Sequence, residues 1–112
     1  MLTRSRDRIG RFVLRHLGAR SREFTLRNPD NDDTIVVRAF GLLHTYLHAH
    51  IDGRWCALES DRCAKRVRRL LHTGGLQNAL LWYSRGQSGF VHIFHARGGD
   101  ITAHAAFVCT PF

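Results

Sequence analysis

The stretch that most constrains the fold is residues 44–53. Residues 44–51 alternate with period two and end in Asp52-Gly53, the favoured dipeptide of a type I′ hairpin turn. A two-residue loop pairs Ile51 with Arg54, Ala49 with Cys56 and Leu47 with Leu58, an apolar set. The other face then carries His44, Tyr46, His48 and His50, with Trp55 beside His50. One sheet face is expected to be packed and the other at least partly polar.

The remainder is read outward from this hairpin. Residues 24–26 and Thr34–Phe40 flank the turn-rich run Asn28-Pro29-Asp30-Asn31-Asp32-Asp33 and predict a second hairpin. Ser60 is read as the N-cap of a helix over residues 61–73 that stops at Gly74-Gly75, with Cys63, Ala64, Val67, Leu70 and Leu71 as its apolar stripe. Residues 78–110 read as a three-stranded meander. A Gly98-Gly99 turn in it sets Phe90, His92, Phe94 and Ala96 opposite Phe107, Ala105, Ala103 and Ile101 as a core face. Residues 2–18 read as an amphipathic helix ending at Gly18. The expected fold class is therefore α+β, in the order α-ββββ-α-βββ, as one domain over residues 1–112. Residues 1–22 form a basic helix that is separable in principle. Their Arg-rich, acid-poor composition also fits a mitochondrial transit peptide, which would place the mature protein in the matrix. The expected location is the cytoplasm, with the matrix as the alternative.

Charge narrows the partner. The 17 Lys and Arg against 9 Asp and Glu leave a net charge of +8 on 112 residues. An excess of this size draws polyanions by long-range attraction. With 44% hydrophobic residues the chain has the makings of a packed core rather than of a disordered basic tail. No apolar run reaches the length of a transmembrane helix. Cys56, Cys63 and Cys109 are odd in number and form no C-x-x-C pair, so they are read as small buried thiols in a reducing compartment.

Two rows of cations stand at helical spacing. Arg4, Arg8, Arg11 and Arg15 make one stripe; Arg62, Lys65, Arg66, Arg68 and Arg69 make the other. Guanidinium forks match phosphate oxygens, and a row of them can follow a nucleic-acid backbone. Tyr46, Trp55, Trp82 and Tyr83 are the aromatics that can stack on bases. An anionic membrane surface is a further partner for the first helix.

Histidine offers other chemistry. His48 and His50 lie on one face of one strand, where two imidazoles can hold a metal ion. His95 and His104 are read as sharing a face of the last hairpin, as a general base and general acid of a metal-free ribonuclease would. No phosphate-binding glycine loop, dinucleotide fingerprint or nucleophile elbow is present in the sequence.

Residues 65–83, with Leu70-Leu71, Gly75-Leu76 and Ala79-Leu80 leading to Trp82-Tyr83, resemble a helical stretch in the small subunit of type III CRISPR effector complexes. The resemblance implies an all-helical fold and contact with an RNA backbone. The strand pattern of residues 89–110 departs from it.

The leading expectation is a non-enzymatic protein that binds nucleic acid, RNA rather than DNA, without a cofactor. The alternatives are a histidine-dependent ribonuclease or metal-dependent hydrolase, and an adaptor or inhibitor of an acidic protein. Open strand edges or the polar sheet face would in addition permit a homodimer.

Overall fold

The computed structural model of the chain describes residues 21–41, 43–74 and 80–112. The predicted helix over residues 2–18, with Arg4, Arg8, Arg11 and Arg15, lies outside the described residues. Seven strands form the molecule: β1 (Arg22–Arg27), β2 (Thr34–Phe40), β3 (Tyr46–Ile51), β4 (Arg54–Glu59), β5 (Leu80–Arg85), β6 (Phe90–Arg97) and β7 (Asp100–Pro111). A 3-10 turn, Arg62–Ala64, leads into one short helix, α1 (Lys65–Thr73).

The sheet closes on itself in the order β1-β2-β3-β4-β7-β6-β5, so the α+β expectation is corrected to a seven-stranded β-barrel with a single short helix among the described residues. Two non-local pairings make the difference. β4 pairs antiparallel with β7, and β1 meets β5 in parallel through one bridge, Arg27 with Trp82. Leu80–Arg85 is a strand, which removes the basis for the likeness to an all-helical subunit.

The turns follow from local chemistry. Asp52 (φ 54°) and Gly53 (φ 76°) both sit in the left-handed region, as a type I′ turn demands. The register of β3 on β4 is the expected one, Leu47 opposite Leu58 and Ala49 opposite Cys56. Between β1 and β2, the side-chain oxygens of Asn28 and Asn31 accept from the backbone N–H of Asp30 (2.8 Å) and Asp33 (2.9 Å). The helical connection begins one residue later than expected. Asp61, not Ser60, caps it, accepting from the N–H of Cys63 at 3.0 Å. Gly74, at φ 66°, ends α1, donating its N–H to the Leu70 carbonyl.

Inward residues of all seven strands fill the barrel, among them Leu26, Val37, Ala49, Leu58, Tyr83, Ile93 and Phe107, and Ala64, Val67 and Leu71 of the helical connection pack onto them. The last hairpin differs from its expected register. His95 pairs with Ala103 but Ala96 with Ile101, so Thr102 is an extra residue. This bulge shifts β7 by one residue against β6, so Ala103, Ala105 and Phe107 stand opposite His95, Ile93 and Val91. Val91, Ile93, Ala105 and Phe107 are buried, while Phe90, His92 and Phe94 face outward rather than forming the predicted core face.

Cysteine usage is corrected as well. Cys56 and Cys109 form a disulfide across β4 and β7, their Cα atoms 5.6 Å apart, and Cys63 is an exposed thiol. The reading of three buried thiols in a reducing compartment loses its basis. No helix among the described residues is long and apolar enough to cross a membrane.

Candidate nucleic-acid interface

Strand direction sorts the charges to two ends of the barrel. The turns at residues 28–33, 52–53 and 86–89 share one end; the loop at 41–45, the helical connection and the turn at 98–99 share the other. At the turn end Asp30, Asp32, Asp33 and Asp52 face Arg27, Arg54 and Arg85. There Arg85 donates twice to Asp52, both at 2.8 Å, and lies 3.7 Å from Asp33. These bonds hold the Asp52 carboxyl below its ordinary range. Burial, then the bond to Asp33 at 2.7 Å, pushes the Tyr83 hydroxyl up to about 12. Asp32, Asp33 and Asp52 are thus engaged by their own end of the molecule.

The helix end is different. Arg22, Arg62, Lys65, Arg66, Arg68, Arg69 and Arg97 gather there against Glu59, Asp61 and Asp100. Among the described residues Arg62, Lys65, Arg66 and Arg69 enter no ion pair, and all four are exposed. Arg62, Lys65 and Arg69, spaced three and four, share one stripe. A groove of about 860 Å³ runs between this helix and the loop at 41–45, lined by Arg62, Lys65, Arg68, Arg69, His72 and His44. Its single carboxylate is Asp61, whose oxygen caps the helical connection. The loop is tied to α1 by Thr45 Oγ1 and His72 Nδ1 at 3.3 Å. Arg68 also donates to the Ser60 carbonyl, at 3.5 Å. The structure thus brings the second predicted cation row together on one end.

Comparison with protein-family models, with curated proteins and with solved structures gave no match. The site therefore has to be read from its own geometry.

The histidine expectations fare differently. His95 and His104 are not on one face: His95 is buried, whereas His104 pairs with Phe94 on the outer surface. His104 instead meets His92, its Nε2 2.9 Å from His92 Nδ1. His48 is buried, its ring edge-on to Phe40 and Phe112, each at 4.6 Å, so this face is less polar than expected. His50 packs on Trp55 at 5.2 Å. Among the described residues no third His, Cys, Asp or Glu joins His48 and His50 in a metal-holding group. Of the aromatics proposed for stacking, Tyr83 is core, Tyr46 stacks on Phe40, and Trp55 lies under the Arg38 guanidinium at 4.4 Å. Trp82 stacks on Phe94 on the outer face of β5 and β6.

His95 itself gives a pH prediction. Thr102 Oγ1 donates to the His95 carbonyl and lies 2.6 Å from Nδ1, while Nε2 is buried with no partner. Burial, then Arg97 and Arg66, hold the imidazole below its ordinary value of 6.5. As pH falls, the unfolded chain takes up this proton before the folded one, so stability is whole above pH 6.5 and declines below it. His104, held low by burial and by His92, acts in the same direction. Denaturant unfolding above and below pH 6.5 should show the decline, and His95→Gln should make it shallower. An unchanged slope in that variant would remove His95 from the account.

Proposed function

We propose that this protein is a small, non-enzymatic nucleic-acid-binding protein that grips the phosphate backbone through the outer side of α1 and the groove beside it. The observation that carries the reading is the gathering of Arg62, Lys65, Arg66 and Arg69 at one end without carboxylate partners among the described residues. Their placement is also costly to the helix. Lys65 and Arg66 occupy the first turn of α1, where the helix dipole favours anions, and no acid stands there. Cations kept at the positive end of a helix are explained by a ligand that supplies the negative charge.

RNA is placed ahead of DNA because unpaired RNA segments offer both phosphates and accessible bases. Phosphate contact alone is indifferent to sequence, so the expected behaviour is broad binding with a strong salt response. Four contacts to single-stranded RNA should lower log K by about 3 for each tenfold rise in salt. Fluorescence anisotropy with labelled RNA and DNA over a range of salt concentrations measures this slope. A flat response discards the reading.

A further inference from the structure

The outer face of β5, β6 and β7 is unlike the rest of this cationic surface. No outward position from Leu80 to Ser84, from Phe90 to Phe94 or from His104 to Val108 is charged. Across the three strands Trp82, Phe94 and His104 lie side by side with their rings almost parallel. Trp82 and Phe94 are 5.1 Å apart at 10°, and Phe94 and His104 are 4.5 Å apart at 15°. His92 continues the row beside His104, at 5.2 Å and 13°. His104 is exposed and the other three rings are half-exposed. Leu80 and Phe90, 63% and 40% exposed, extend the apolar surface above and below the rings.

Cations border this strip without entering it. Arg27 stands opposite Trp82 across the barrel seam, held only by a 3.6 Å contact to Asp32. Arg97 ends β6, three residues beyond Phe94, at the same end of the barrel as α1. The ring row therefore runs close to the cationic end.

We propose that the Trp82–Phe94–His104 row binds unpaired nucleobases of the strand whose phosphates the helix end holds. The inference rests on the nucleic-acid reading above and adds the form of the ligand: single-stranded, with bases turned to the sheet. Parallel rings at these spacings form a stack that an unpaired base extends, and stacking of this kind tolerates any base. The hydrogen bond between His92 Nδ1 and His104 Nε2 leaves one further nitrogen on each ring for the edge of a base.

Size separates this occupant from a second copy of the chain. Three strands about 4.8 Å apart, with three outward positions each about 6.6 Å apart, make a face of about 300 Å². A stable protein interface needs about 800 Å² from each partner. A dimer centred here would draw in the bordering arginines of both copies and set like charges together. A few nucleotides fit the area and welcome the same arginines.

The test uses the whole chain and two labelled probes of equal charge, each about ten nucleotides long: oligouridylate and an abasic phosphodiester. Oligouridylate is expected to bind at least about tenfold more tightly than the abasic strand. Phe94→Ala and His104→Ala should each erase about tenfold of the oligouridylate affinity and leave abasic binding unchanged. His104→Trp, which keeps a ring in the row, should retain the preference, and thermal unfolding of each variant checks that the barrel is intact. In a Trp55→Phe background, oligouridylate should quench the remaining Trp82 emission and the abasic strand should not. Equal affinity for both probes overturns the base site while leaving the helix reading in place. Failure to bind either probe removes both. Strip substitutions that dissolve a dimer without touching RNA affinity give the face to a second copy and overturn the proposal.

Discussion

Joint replacement of Cys56 and Cys109 by alanine is expected to lower the free energy of unfolding by about 4 kcal/mol, the loop-closure figure for a cross-link spanning 53 residues. The bond lies where the barrel has least to spare. β4 and β7 are joined by four register pairs, one of which uses Pro111, a residue with no N–H to give. By contrast β6 and β7 are neighbours in sequence and pair along eight positions. Closing β4 on β7 carries the entropy cost of a loop of 53 residues. The disulfide removes much of that entropy from the unfolded state. Urea unfolding of the oxidised protein, the reduced protein and the double variant should give one high midpoint and two low ones. Identical midpoints for all three would show that the cross-link does not hold the barrel.

The second large effect is on binding. Changing Arg62, Lys65, Arg66 and Arg69 together to glutamine should weaken RNA affinity by up to about three orders of magnitude at 0.1 M salt, with the salt slope flattened by about 3. All four side chains are exposed, and glutamine matches arginine and lysine in helix propensity, so the fold should survive. Stability is expected to move the other way. Lys65 with Arg69, and Arg66 with Arg69, are like-charge neighbours on α1, and removing such pairs stabilises a helix by about 0.2–0.5 kcal/mol each. A variant that melts higher and binds far more weakly is the signature of cations kept for a ligand. Unchanged affinity in the variant would end the phosphate reading.

What was legible in the sequence was what neighbours decide. Asp52-Gly53 dictates its own turn, and a two-residue turn dictates the register of the strands on either side. The cation row on α1 followed from spacing alone. Barrel closure was not legible, because it depends on Arg27 reaching Trp82 and on β4 reaching β7, partners that no local pattern links. The Cys56–Cys109 pairing was hidden for the same reason. Period-two counting puts His95 on the wrong side because it assumes an unbroken ladder, and nothing in Ile101-Thr102-Ala103 announces a bulge. The aromatic row of Trp82, Phe94 and His104 spans three strands and exists only once that register is known.

Thr102 has a consequence for how this chain tolerates change. Loss of that single codon would remove the extra residue and leave an unbroken ladder, with Ala103 still opposite His95, His104 still outside and Phe107 still inside. Point replacements along the outer surface alter what the protein touches. A change of length beyond Ala103, inside the paired run, alters which residues have an outside at all.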